Sequence, residues 1–215
     1  VAELIDEALK TALAREEERP RIGWYRPSLL PSCLRRQYLI YREGVQIDLE
    51  KGGIFQIGEL FHDFLRGALR KIDVELEAVE APIIIAVPHG GDWVWISGRP
   101  DGVMKTGDGR RYILEVKSIS RLPPEPLRHH VLQVQPYLAA LRLSTALVVY
   151  LEKRRLGSRI FEVPFSQDLL GEVLRRAVRL HTALKSGEAP KPDPASWECE
   201  YCEFKEVCEW SRGKG

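Results

Sequence analysis

Gly98-Arg99-Pro100-Asp101-Gly102 and Tyr112-Ile113-Leu114-Glu115-Val116-Lys117-Ser118-Ile119, joined through Thr106-Gly107-Asp108-Gly109, form the stretch on which the fold turns. The Gly-Asp-Gly segment is a hairpin turn signal between two runs of strand-forming residues. Side chains two apart on a strand point the same way, so Glu115 and Lys117 share one face and Leu114 and Val116 the other. The hairpin brings Asp101 towards that pair. Two converging carboxylates suit a hard cation such as Mg²⁺ or Mn²⁺. A cation there polarises a phosphoryl oxygen and acidifies water. A neighbouring lysine orients the attacking water and offsets developing negative charge. These are the needs of phosphodiester hydrolysis. The ordinary alternative is a surface strand ion pair. The apolar flanks, Tyr112-Ile113-Leu114 and Ile119, weigh against it, because charges beside a buried strand are seldom casual.

Outward from this stretch, the patterning predicts an α/β fold with a mixed central β-sheet flanked by helices. Leu4, Ile5, Ala8, Leu9, Ala12 and Leu13 make a helical stripe. A basic, Pro-containing link follows over 19–31, and Ser32 is placed to cap a second helix carrying Cys33, Leu34, Tyr38 and Leu39. A third helix is expected over 54–72, with Ile54, Ile57, Phe61, Phe64, Leu65, Ala68 and Ile72 as its stripe. Strands are expected within 74–87, 93–104, 112–119, 146–152 and 159–164. Helices are expected over 125–143 and from Ser166 to just before Gly187. The Pro-rich run 188–194 reads as a linker to the cysteine-containing end.

The 215 residues, 44% hydrophobic and 29% charged, are enough for one well-filled core. No apolar run approaches the ~20 residues of a membrane span. The first 18 residues read as an amphipathic helix and not a signal peptide, so a cytoplasmic location is expected. The net charge of +1 does not announce nucleic acid, but 22 of the 32 basic residues are arginine, the better bidentate phosphate ligand. Asn is absent and Met104 is the only methionine, a depletion found in thermophile proteins.

Three further residues join the acidic-lysine set. His62 sits at the edge of the third helix's stripe, four residues after Gly58. Gln133 and Tyr137 are four apart and share a helix face. Taken singly, a surface histidine and a half-buried polar pair are the plainer readings. Taken in order, Gly58-x-x-x-His62, Gly98-x-x-Asp101, Glu115-x-Lys117 and Gln133-x-x-x-Tyr137 resemble the motifs of the PD-(D/E)xK nucleases of the RecB type. The resemblance implies that His62, Asp101, Glu115 and the Val116 carbonyl bind the metal. It implies that Lys117 serves the attacking water, and that Gln133 and Tyr137 support substrate or site geometry.

Cys33 stands alone, whereas Cys199, Cys202 and Cys208 form C-x2-C-x5-C. In a chain of this kind the pattern points to metal in preference to disulfides. Structural zinc favours two close pairs. One distant cysteine with a terminal trio suits an iron–sulfur cluster on four thiolates. Trp197, Tyr201, Phe204 and Trp210 interleave the trio and are placed to shield it. Cys33 and Cys199 are 166 positions apart, so ligation would clasp the chain's two ends. One cysteine before a RecB-type core and three after it resembles the iron–sulfur RecB-like nucleases, and in this compact form the CRISPR-associated exonucleases among them.

That resemblance implies a single nuclease domain over 1–198, completed by a cysteine segment over 199–215. It also implies a 4Fe–4S cluster, with 2Fe–2S open on the same ligands. The implied activity is exonuclease action on single-stranded DNA or frayed ends, for trimming before CRISPR spacer acquisition, with the CRISPR integrase complex as partner. An oligomer is left open. Arg21, Arg26, Arg35, Arg36, Lys153, Arg154 and Arg155 are candidate phosphate contacts. A repair or recombination exonuclease is the same-fold alternative. A non-catalytic, zinc-stapled DNA-binding module and an iron–sulfur electron carrier are alternatives of other classes.

Overall fold

The computed structural model describes residues 2–13, 15, 16, 19–47 and 49–209. Trp210 and the side chains of Leu9, Leu13 and Ile54 lie outside the described residues. Among those described, five helices and ten strands occur. They are α1 (Ala2–Leu13), β1 (Arg15–Glu16), β2 (Trp24–Tyr25), α2 (Leu34–Glu43), β3 (Gln46–Ile47), α3 (Leu49–Leu69), β4 (Val74–Ala78) and β5 (Ile83–His89). These are followed by β6 (Asp92–Gly98), β7 (Gly102–Thr106), β8 (Arg111–Ile119), α4 (Arg128–Leu141), β9 (Thr145–Glu152), β10 (Ser158–Pro164) and α5 (Gln167–Ser186).

β8 is the centre of a five-stranded sheet in the order β10-β9-β8-β7-β4. It pairs antiparallel with β7 and parallel with β9. A parallel pair needs a long crossover, and α4 provides it. The expected turn is present: Gly109 lies at φ 83°, where a side chain would strain the backbone, and its N–H donates to the Thr106 carbonyl. Both faces of β8 are covered. Ile113 packs with Val134, Tyr137, Leu138 and Val148 beneath α4. Leu114 and Val116 pack with Phe61, Val149 and Leu151 beneath α3. Double coverage explains why this strand reads as a nearly continuous apolar run.

Two predicted strand regions prove to be two strands each. The 74–87 run divides into β4 and β5, and the 93–104 run into β6 and β7. β5 and β6 do not join the central sheet. With the two-residue β2 they form a separate sheet in the order β2-β6-β5. Proline has no N–H for a ladder, and the second division falls at Arg99-Pro100-Asp101, where the chain leaves one sheet for the other. The smaller sheet packs against α2 and α5 through Tyr25, Leu34, Val94, Ile96, Val173, Ala177 and Leu180. The 19–31 link is therefore part of the core, with Tyr25 and Leu30 fully buried.

Local signals set both ends of α5. Ser166 caps α5, its hydroxyl accepting from the Leu169 N–H, and Gly187 closes it at φ 79°. The expected cap at Ser32 is not made. Cys33 holds the N-cap position of α2 without a side-chain bond, and Ser32 Oγ donates to the Leu29 carbonyl. The orphan N–H groups of α2 are met from far along the chain. Cys33 N–H donates to Glu198 Oε1 at 3.0 Å and Leu34 N–H to Asp193 Oδ1 at 2.7 Å. Residues 188–194 are thus anchored and are no free linker. No helix among the described residues is long and apolar enough to cross a membrane.

Candidate active site and cysteine cavity

Asp101 stands where the chain crosses between sheets, at the mouth of β7. Its Oδ2 accepts the Val116 N–H at 2.6 Å, which ties it to β8. Its Oδ1 lies 3.6 Å from His62 Nδ1 on α3. Burial raises the Asp101 pKa, against the pull of the Val116 N–H and the charges of Lys117 and Arg66.

Glu115 is only 3% exposed. Its Oε1 accepts from Lys117 Nζ at 2.8 Å and from Gln133 Nε2 at 2.6 Å. Its Oε2 is buried with no hydrogen-bond partner. Burial pushes the Glu115 carboxyl up to about 7, partly offset by Lys117 and reinforced by Asp101. A buried, unpartnered carboxylate oxygen is costly. It faces a need for positive charge, and that is the arrangement a divalent cation would satisfy.

Gln133 and Tyr137 are both buried on α4. Burial and the Glu115 charge hold the Tyr137 phenol well above its ordinary pKa, so it stays protonated. Gly98 explains its own identity: a Cβ there would sit 2.8 Å from Pro27 Cδ and 3.2 Å from the Tyr137 hydroxyl oxygen. The six side chains picked from the sequence therefore fall in one neighbourhood, drawn from α3, the β7 entrance, β8 and α4.

Sequence reading missed two neighbours. Arg66 lies one turn after His62, and its charge reaches Asp101. His129 lies one turn before Gln133, and burial lowers its pKa, helped by the Lys117 charge. The spacing 129, 133, 137 was the available signal for the second.

The four cysteines line one cavity, together with Leu39, Pro192, Pro194 and Phe204. Burial raises the Cys33 thiol against backbone N–H groups of Arg36 and Arg35, and raises Cys202 against that of Phe204. Among the described residues no three His, Cys, Asp or Glu side chains converge as a finished metal cage, at either location. Among the described aromatics of the shield, Phe204 is buried in the cavity wall, while Trp197 and Tyr201 are exposed. Two candidate phosphate contacts have structural employment. Arg36 forks onto Glu203 at 2.8 and 2.9 Å, and Arg35 donates to the Pro190 carbonyl.

Comparison with known proteins adds three findings. Residues 59–209 match the model of the PD-(D/E)XK nuclease superfamily. Two proteins named CRISPR-associated exonuclease Cas4 are similar. The one from Aeropyrum pernix is 28% identical over 91% of this chain and 92% of its own. The one from Saccharolobus solfataricus is 23% identical over 71% and 70%. In fold, the crystal structure of SSO0001 superposes with a TM-score of 0.69 at 22% identity, covering 97% of both chains. The alkaline exonuclease LHK-Exo from Laribacter hongkongensis gives 0.54 at 15% identity, covering 94% of this chain and 98% of its own. The matched span runs from the helix bearing His62 through both strands of the acidic-lysine hairpin to the terminal cysteines, and on that span the chain belongs to the PD-(D/E)XK nuclease superfamily.

Proposed function

We propose that this chain is a divalent-metal-dependent DNA exonuclease that acts on single strands or frayed ends and carries an iron–sulfur cluster. The observation that carries the reading is the unpartnered Glu115 Oε2, buried beside Asp101 and Lys117. His62, Asp101, Glu115 and the Val116 carbonyl would hold Mg²⁺ or Mn²⁺. When bound, such an ion supplies Lewis acidity towards the scissile phosphate. The protein's own groups do the rest. Lys117, held by Glu115, positions its ammonium to orient water and to offset charge on the phosphate. Gln133 fixes Glu115 Oε1, which leaves Oε2 as its available oxygen. Tyr137, kept protonated, packs behind this pair and holds α4 against Gly98.

Cys33, Cys199, Cys202 and Cys208 would hold the cluster, 4Fe–4S before 2Fe–2S. The chemistry of the set supports this: four thiols on one cavity, with backbone N–H donors directed at two of them. On this reading 1–198 is the nuclease body and 199–215 completes the clasp. The similarity to proteins named Cas4 supports a role in trimming DNA for CRISPR spacer acquisition, with the integrase complex as partner.

The test is degradation of labelled single-stranded DNA with Mn²⁺ by the parent, Glu115→Ala and Lys117→Ala proteins. The parent is expected to degrade the strand and both variants to leave it intact. Equal degradation by all three would remove the site. Broad absorbance near ~400 nm in fresh protein is the expected mark of thiolate-bound iron, and a colourless, zinc-loaded protein would refute the cluster.

A further inference from the structure

A cleft of about 620 Å³ opens between the first turn of α4, the start of α2, α5 and the terminal segment. Trp197 and Tyr201 stand on its rim, 48% and 72% exposed. Exposed aromatics gathered at a cleft, unlike ones scattered singly, are a mark of a binding surface. His129 also lines the cleft and meets Trp197 in a tilted contact, with ring centroids 5.4 Å apart and the planes at 50°. One helical turn further along the same face of α4 comes Gln133, which holds Glu115. None of the six candidate-site side chains lines the cleft, but His129 on its wall lies within reach of the Lys117 charge, so the cleft lies beside the candidate active site.

Its charge says how it would hold a strand. Three arginines reach it, and each is ion-paired: Arg128 with Glu172 at 2.6 Å, Arg176 with Asp193 at 2.7 Å and Arg36 with Glu203 at 2.8 Å. This is no cationic track for phosphates. It offers π faces, and every base has a π face to set against them.

We propose that the cleft receives a base of single-stranded DNA neighbouring the scissile phosphate, stacked on Trp197 and Tyr201. The proposal rests on the nuclease reading above. Stacking accounts for the exposure of Trp197, just before the cysteine segment, and of Tyr201 within it. It also gives that segment a direct part in substrate binding.

The test is binding of a labelled oligothymidylate to the full chain without divalent ions, at several salt concentrations. Trp197→Ala and Tyr201→Ala should each weaken binding about tenfold, and Trp197→Phe should retain most of the affinity. The slope of affinity against salt should not change, because no phosphate contact is lost. The strand should quench tryptophan fluorescence in the parent and quench it less in Trp197→Phe. Tyr201→Ala guards against a folding artefact, since that side chain is so exposed. Parent-like affinity in Tyr201→Ala and parent-like quenching in Trp197→Phe would overturn the proposal. If the parent still degrades the strand with Mn²⁺, the nuclease reading survives that result. A salt slope reduced by about one in Tyr201→Ala would also overturn it, in favour of a phosphate contact. A parent that neither binds nor degrades the strand would remove both.

Discussion

The carboxylate cluster on β8 and the cysteine cavity at α2 solve opposite problems. The first is built from residues close in sequence, on a strand buried on both faces. Its polar atoms are held so firmly that one of them, Glu115 Oε2, is left without a partner. The second is built from the chain's two ends, and polar bonds hold those ends before any thiol is considered. Glu198 and Asp193 cap α2, while Arg176 donates to the Leu30 and Ser32 carbonyls and to Asp193. The first region leaves a carboxylate oxygen unmet; the second leaves the uncharged Gln37 Oε1 without a partner but pairs its charged groups, Arg36 with Glu203 and Arg176 with Asp193. Removing a group should therefore do opposite things to stability in the two places.

Glu115→Gln gives the largest expected effect. Activity on single-stranded DNA should fall on the order of 10³-fold, as for loss of a principal electrostatic group. The same substitution should stabilise the metal-free protein. Glu115 has a folded pKa of about 7, above its ordinary carboxylate value. Its stability contribution is intact below about pH 4, declines as pH rises towards 7 and stays lost above that. In chelator at pH 8, thermal melting of Glu115→Gln should exceed the parent's by several degrees. A lower melting temperature would mean that the buried carboxylate is already satisfied.

Arg176→Ala should do the reverse. It strips charged hydrogen bonds from two loop carbonyls and from Asp193 Oδ2, which should cost about 3 kcal/mol in denaturant unfolding. It should also expose 188–197 to proteolysis. Glu198→Ala, which loses the bonds to Cys33 N–H and Ala195 N–H, should cost about 1–2 kcal/mol. If iron–sulfur loading restored neither deficit, the polar bonds and not the cluster would be the principal clasp.

The same contrast separates what was legible in the sequence from what was not. β8, β9, β10, α4 and α5 were placed to within a few residues, because their periods are clean and Gly109, Ser166 and Gly187 mark their ends. The set around Glu115 was legible because His62, Glu115, Lys117, Gln133 and Tyr137 are fixed to regular elements by short-range spacing, and Asp101 stands one residue before β7. The second sheet was not. A continuous β-branched run does not say which sheet it joins, and a two-residue strand such as Trp24–Tyr25 has no period to read. The clasp was legible only in its cysteines. The carboxylates that cap α2 are 159 and 165 residues distant from their N–H partners, and no local pattern links them. For the same reason Arg35 and Arg36 read as phosphate contacts when they serve the C-terminal segment.

The two regions meet at Gly98, the last residue of β6. Gly98→Ala would press Pro27 on the α2 side and the Tyr137 hydroxyl on the site side. Overpacking of this kind costs about 1–3 kcal/mol. It should also lower nuclease activity by more than the lost stability explains, because Tyr137 shares a helix face with Gln133. Full activity at a temperature well below melting would show that the crossing point carries strain without passing it to Glu115.

The smallest expected effect probes the body on which the clasp sits. His181 on α5 is buried with both ring nitrogens engaged, Nδ1 with the Tyr25 hydroxyl at 2.9 Å and Nε2 facing Asp92 Oδ2 at 3.4 Å. Burial lowers its pKa, and the nearby Lys185 and His89 work in the same direction against the pull of Asp92. A histidine lowered in the folded state binds fewer protons there than in the unfolded chain. Stability is therefore complete above about pH 6.5 and falls as pH drops below it. His130, pushed down to about 2 chiefly by burial, acts in the same sense on the active-site side. His181→Gln should flatten the slope of melting temperature between pH 7 and 5 without abolishing it, and His130→Gln should remove a separate portion. If the two losses add, the layers on either side of Gly98 titrate independently. If they do not, protonating one layer is felt in the other, and the contrast between a strained site and a satisfied clasp describes one coupled structure.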